Sequence, residues 1–393
     1  MVHGGNLMKT VVLRGPALTQ SGYGVHTRQV ARWLLQRPDF DVKFMTLPWG
    51  DTPWLLDGDL HDGLVGEIMK RTVPPTFKAD ISFQLQLPNE WDPSIAPINI
   101  GITAGVETDR CSPEWVEACN RMTAVVVPSQ HTKTNLTNSG AITKPLFVIP
   151  EAYCDAIRST DLPEMPTFST PFNFLVFGQL TGNNPENDRK NIFYTIKWLC
   201  EVFKDDPEVG IVLKTNVGKN SLIDRGMTRG LITAVANDSR KGGKGPKVHL
   251  VHGDMNDSEV AALYKHPQIK ALVSLTRGEG YGLPILEAAA SGLPVIATGW
   301  SGHLDFLRHG KYVSVYYQLA DVHASRIDGR IFVKGARWAM PSEEDFKKRA
   351  LKFRQSHSTP KQWASELATV LQDKYSLTSI MTMYDQVLKE FIG

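Results

Sequence analysis

The feature that most constrains this chain is a rhythm. Short runs of β-branched and aromatic residues are each followed by a longer helical stretch, and the series occurs twice. In the first half the runs are TVVLRG from Thr10, VKFMTL from Val42, DISFQLQ from Asp80, INIGIT from Ile98, AVVVPS from Ala124 and LFVIP from Leu146. After DAIRSTDLPEMPTFSTPFN, rich in Pro, Ser and Thr, the pattern restarts with FNFLVFG, VGIVLKTN, KVHLVHG, IKALVSL and PVIATG. Strand–helix alternation of this kind buries both faces of a parallel sheet through right-handed crossovers. Two series therefore predict an α/β chain with two doubly wound, Rossmann-like domains, and 393 residues is long for a single core. The expected divisions are 1–165, 166–375 and a C-terminal segment 376–393 that packs back on the first domain. The tail from Thr359 breaks the rhythm and reads as two closing helices. In such sheets ligands sit at the carboxyl ends of the strands, so the loops there are the first places to look for chemistry.

Composition narrows the function classes. With 42% hydrophobic and 21% charged residues this is an ordinary globular chain, and a net charge of +2 argues against a dedicated nucleic-acid wrapper while allowing a local basic groove. Cys111, Cys119, Cys154 and Cys200 form no CxxC and read as reduced structural thiols. The opening MVHGGNLMKTVVLRG lacks the apolar core of a signal peptide, and no apolar run reaches transmembrane length. The expectation is a cytoplasmic protein with at most peripheral membrane contact.

One loop carries most of the chemical signal: RGEGYGLPILEAAASGLPVIATG, residues 277 to 299. IKALVSL reads as a buried strand, and the glycines Gly278, Gly280 and Gly282 at its carboxyl end let backbone N–H groups approach a ligand. Pro284 opens a helix at a tolerated position, and Gly292 with Pro294 ends it. A helix N-terminus favours phosphate. Glu287 is placed in the first turn of that helix, where the macrodipole favours an anion. Neither Glu279 nor Glu287 is buried cheaply without donors, which the hydroxyls of a sugar and a ribose would supply. Taken alone, the pair is better accounted for by a solvated loop glutamate plus a helix-capping glutamate.

Glu279 and Glu287, with the glycines, the proline and the following Gly-x-Pro-Val strand, closely resemble the E-x7-E signature of retaining glycosyltransferase family four, which has the GT-B fold. Weaker similarity runs through SGYGVHTRQVARWL, VVVPSQHTKTNL and VHLVHGDMNDSEVAALYK. The resemblance implies that Glu279 holds donor-sugar hydroxyls and Glu287 the ribose, with the backbone of Gly280, Tyr281, Gly282 and Leu283 facing sugar and diphosphate. It also implies a basic pair after the first strand of the second domain. There FGQLTGNNPENDRKNI supplies Lys190, but Gln179 stands where the family has arginine, so either Arg189 or Lys214 brings the second charge or the diphosphate is held by fewer cations. A leaving diphosphate needs such fixed positive charge.

Gly22 and Gly24 would let the backbone approach the β-phosphate from the first domain, although a lone G-x-G is a weak signal. Tyr23 and His26 are contact or packing residues. The family's first-domain histidine is missing from GITAGVETDRCSPEW, which is similar to bacterial and phage members with Glu-Thr there, so Glu107 is the nearest polar group. It would serve as acceptor binder, electrostatic support or turn carboxylate, and Asp109 and Arg110 are weaker candidates.

Other motifs are set aside. The D-x-D of Asp57 to Asp59 lies outside a metal-binding context, NVGKNS lacks the parts of a phosphate loop, and SRKGGKGPK reads as a solvated cationic connector. No histidine spacing suits a metal. The resulting expectation is a retaining, metal-independent hexosyltransferase without a cofactor, whose donor is a UDP- or GDP-type nucleotide sugar. Its acceptor would be a polysaccharide, lipid-linked or other glycan hydroxyl. A hydroxylated base of phage-type DNA is the alternative acceptor. A GT-B phosphorylase or epimerase, or a noncatalytic nucleotide-sugar binder, is the alternative function.

Overall fold

The computed structural model describes residues 8–180 and 184–393. Most of the N-terminal stretch (1–7) and three residues of the expected basic-pair loop (181–183) lie outside the described residues. All eleven expected strands form. In chain order they are β1 (Lys9–Gly15), β2 (Phe40–Thr46), β3 (Ile81–Leu85), β4 (Ile98–Ile102), β5 (Ala124–Val127), β6 (Leu146–Val148), β7 (Phe172–Phe177), β8 (Val209–Lys214), β9 (Lys247–Val251), β10 (Ile269–Ser274) and β11 (Val295–Thr298). A short β12 (Val313–Val315) and an antiparallel pair, Tyr317–Asp321 with Arg337–Pro341, were not anticipated. A three-residue strand is too brief to show a period.

The first sheet has the order β2-β1-β3-β4-β5-β6 and is parallel throughout. Its core is built from Val11, Leu13, Phe44, Phe83 and Val126, and it includes Ile380, Tyr384 and Leu388 of the terminal helix Leu377–Ile392. Trp33 clamps that helix, stacking on Tyr384 at 4.8 Å and donating its indole N–H to Asp385 at 3.0 Å.

The second sheet, β12-β11-β10-β7-β8-β9, shows why its strands read as continuous apolar runs. Successive side chains point to opposite faces, and both faces are covered. Phe174 and Val176 pack on one side while Leu175 packs on the other. Ile211 and Leu213 likewise oppose Val212. Each such full burial contributes about 1.5–3 kcal/mol. From β7 the chain runs outward through β8 and β9, then returns to β10 on the other side of β7. The strand order therefore switches between β7 and β10, and a ligand crevice forms beyond the carboxyl ends of strands at such a point.

By compactness the chain divides into Met1–Val106, Arg110–Ala152 and Leu377–Gly393 on one hand, and Glu107–Asp109 with Tyr153–Ser376 on the other. The break at 152/153 falls earlier than the 165/166 division read from composition, because Tyr153 and Ile157 belong to the second unit's core.

Candidate functional site

The segment after β7 and the loop after β10 meet at the switch point. Asp188 is buried and accepts from the N–H of Ile192 at 2.6 Å, which fixes the start of the helix Ile192–Val202. This anchors Arg189 and Lys190 just before the helix. The N–H of Arg277 donates to the carbonyl of Arg189 at 2.9 Å, tying this segment to the glutamate loop.

Glu279 is 6% exposed and lies between the two cations. The Lys190 ammonium donates to both carboxylate oxygens, at 2.7 and 2.9 Å. The Arg189 guanidinium donates to the carbonyl of Gly278 at 2.9 Å and lies 3.4 Å from Glu279. Burial alone would raise the Glu279 pKa, but Lys190 and Arg189 offset it and hold the carboxyl down at about 2. Glu107, part of the same compact unit, completes the cluster with an ion pair to Arg189 at 3.3 Å. Two cations and two carboxylates from three separate chain segments thus balance one another.

The loop around Glu279 is stapled from β11. The N–H of Glu279 donates to the hydroxyl of Ser301 at 2.9 Å, and that of Gly302 to the Glu279 carbonyl at 2.9 Å. His303, fully buried, donates through Nε2 to the Thr298 carbonyl at 2.7 Å, and burial depresses its pKa, so the ring is neutral. Asp188, Ser301 and His303 were missed by sequence reasoning. Their one available signal was position, since Ser301 and His303 follow a strand's carboxyl end. Gly278 has a packing reason of its own, as a Cβ there would lie 2.2 Å from the Glu107 carbonyl. Gly282 caps the next helix at φ +101°, a left-handed conformation that favours glycine. The Tyr281 ring packs on Phe306 in the core, leaving its backbone as the part in the loop.

Two expectations need correction. Glu287 is the fifth residue of the helix Leu283–Ala290, whose first turn holds no acid, so it sits one turn beyond the dipole's reach. Nor is it set up as an anion. Burial, reinforced by the neighbouring Asp257 charge, pushes its carboxyl up to about 8, against a backbone hydrogen bond from Cys154 and a 3.5 Å contact with the Tyr264 hydroxyl.

The remaining candidates are scattered. Lys214 ends β8 and turns its ammonium to the carbonyl of Gly253, with Asp254 and Glu259 as the nearest charges, while burial depresses its pKa. Gln179 donates to the Val217 carbonyl at 3.1 Å. Asp109 grips Arg337 at 2.8 Å and is structural there. In the first unit, Gly22 and Gly24 begin the helix Gly22–Leu35, capped by Ser21. A Cβ on Gly24 would lie 2.2 Å from the Thr19 carbonyl, whereas one on Gly22 would meet nothing within 4 Å. His26 is a core residue 3.3 Å from the Tyr384 hydroxyl, and burial lowers its pKa to about 3. Tyr23 stacks on Trp49 at 4.0 Å and shares a 3.0 Å hydrogen bond with Thr103. Among the described residues no group of histidine, cysteine and carboxylate side chains could hold a metal ion. None of their helices is long and apolar enough to cross a membrane.

Two parallel six-stranded sheets with alternating helices and closing C-terminal helices define a two-domain GT-B fold. Residues 239–328, which span β9 to β12 and both glutamates, match the family model of glycosyl transferases group 1, and this supports glycosyl transfer as the general activity. No curated protein matches the chain. Among solved structures, a glycosyltransferase from Rickettsia africae is similar with a TM-score of 0.65 at 14% identity, covering 98% of each chain. Sucrose-phosphate synthase from Thermosynechococcus elongatus gives 0.62 at 13% identity, covering 97% of this chain and 98% of that one. Anabaena HepE, in complex with UDP and glucose, gives 0.62 at 13% identity, covering 96% and 99%. At these identities the likeness is one of fold.

Proposed function

We propose that the protein is a retaining, metal-independent glycosyltransferase that moves a sugar from a nucleotide-diphosphate sugar to the hydroxyl of a glycan or similar acceptor. The observation that carries this reading is Glu279, a buried carboxylate held ionised between Lys190 and Arg189 at the switch point of the second sheet. In the unliganded cluster the cations are engaged by carboxylates. An arriving diphosphate draws Lys190 and Arg189 to itself, and Glu279 turns its freed lone pairs to the sugar hydroxyls. The cations then lie where negative charge grows as the diphosphate departs, and charge placed in advance needs no reorganisation during the reaction. Arg189 takes the place of the family arginine that Gln179 does not supply, and Lys214 is left out of the cluster. Glu287 receives the ribose, and the backbone of Gly280 to Leu283 lines the diphosphate. Transfer proceeds on the front face, with the leaving phosphate assisting deprotonation of the acceptor hydroxyl. The protein's share is orientation and electrostatic stabilisation. The UDP and glucose held by the Anabaena neighbour support a uridine donor as the first to test.

Calorimetric titration with UDP, GDP and ADP, repeated on Lys190→Ala, tests the reading. The expectation is binding of one diphosphate and a loss of about 1.5–3 kcal/mol in the variant, the range for a hydrogen bond to a charged group, or roughly 10- to 150-fold. Absence of binding by any of the three would remove the assignment.

A further inference from the structure

A second feature of the same unit lies apart from the glutamate cluster. The helix Leu222–Arg240 runs beside β9, the edge strand of the second sheet, and a groove of about 510 Å³ lies between them. Arg225, Arg229, Arg240, Lys247 and His249 line it, and none of its lining residues is acidic. Arg225 and Arg229 are exposed, and among the described residues no hydrogen bond or ion pair engages either guanidinium. Arg240 donates to the Pro246 carbonyl and the Asn237 side chain, while its buried Nε has no partner among the described residues.

The charge is local. Residues 222–247 carry six Lys and Arg against two Asp, a net of +4 in a chain whose total is +2. One of those two, Asp224, is turned inward by the N–H groups of Val217, Gly218 and Lys219 and by His252 at 2.8 Å. Arg225 and Arg229, four residues apart on the helix, repel one another, and no hydrogen bond or ion pair of their own repays the repulsion. An anion in the groove would remove it. Fifteen residues at about 1.5 Å each place Arg225 roughly 22 Å from Arg240, so the charges form a row rather than a point. No phenylalanine, tyrosine or tryptophan lines the groove, so it offers charge without a surface for stacking bases. Lys247 opens β9 and Ser169 precedes β7, so one end of the groove lies at the amino edge of the sheet, opposite the loops that carry Glu279.

We propose that this groove is a binding site for a linear chain of phosphate groups, recognised through charge alone. A phosphodiester polymer or polyphosphate chain fits the row. A substrate carrying such a chain would be retained beside the unit that handles the donor.

The test is binding of a fluorescent oligothymidylate, followed by anisotropy at several salt concentrations and competed with inorganic polyphosphate. Four phosphate contacts at roughly 0.7 released ions each predict a log–log salt slope of about −2.8, or about a fifty-fold loss between roughly 50 and 200 mM salt. Arg225→Gln with Arg229→Gln should halve the slope to about −1.4, about a sevenfold loss over the same range. Polyphosphate should displace the oligonucleotide from the wild type. Lys190→Ala should bind the oligonucleotide normally, and the double variant should keep its nucleoside-diphosphate binding. The oligonucleotide and polyphosphate measurements do not involve the donor site, so failure of the donor-site reading leaves them intact. Four results would each overturn the proposal: no wild-type binding at low salt, an unchanged slope in the double variant, binding that polyphosphate does not displace, or loss of nucleoside-diphosphate binding in the double variant.

Discussion

Glu287→Gln should stabilise the protein, and by an amount that depends on pH. The wild-type carboxyl is pushed up to about 8 by burial and by Asp257, from an ordinary 4.5 in the unfolded chain. Between those values the unfolded state has released its proton and the folded state has kept it. Fewer protons on the unfolded state mean that stability falls as pH rises. At pH 7 the interval of about 2.5 units, at 1.36 kcal/mol each, costs about 3 kcal/mol, growing to about 5 above pH 8. Glu287 is only partly buried, so these are upper figures. Glutamine matches the protonated acid in shape and never ionises, so it escapes the penalty. In a unit of roughly 150–250 residues, 1 kcal/mol moves the midpoint by about 2–4 °C, which gives about 6–12 °C at pH 7. Thermal unfolding of both proteins from pH 4.5 to 8.5 is the assay. The difference should be near zero at pH 4.5 and widen upward. A difference that stays flat across that range, or favours the wild type at high pH, would refute the account of Glu287 as a carboxyl held protonated. Donor affinity should move oppositely, strengthening toward pH 8 as the group becomes an acceptor for ribose hydroxyls.

Glu279→Ala should abolish sugar transfer yet retain nucleoside diphosphate, because it frees Lys190 from its carboxylate while Arg189 keeps Glu107. Transfer at the wild-type rate by a folded variant, read as product per enzyme, would sink the site. Gly24→Ala drives a Cβ against the Thr19 carbonyl and should cost about 1–3 kcal/mol in denaturant titration, whereas Gly22→Ala meets nothing and should cost none. Equal destabilisation by the two would contradict that geometry. Since Asp188 accepts the first N–H of the helix that follows Lys190, Asp188→Ala should lose about 1–2 kcal/mol of stability and weaken diphosphate binding as well.

The sequence alone determined the two sheets, since parallel strands buried on both faces must be apolar, as in β5 and in β8 up to its final Lys214. It also placed the loop after β10, because Gly282, Pro284 and Gly292 mark the helix ends by backbone requirements that act within a few residues. Tertiary structure decided the charges. Arg189 and Glu279 are far apart in the chain and meet because the crossover order sets β10 beside β7, and Glu107 joins them from a third segment. That order also sent Lys214 to Gly253 and placed Glu287 beside Asp257. Local periodicity is written residue by residue, but an ion pair or a shifted pKa depends on which distant segment arrives opposite, and only the packed sheet fixes that.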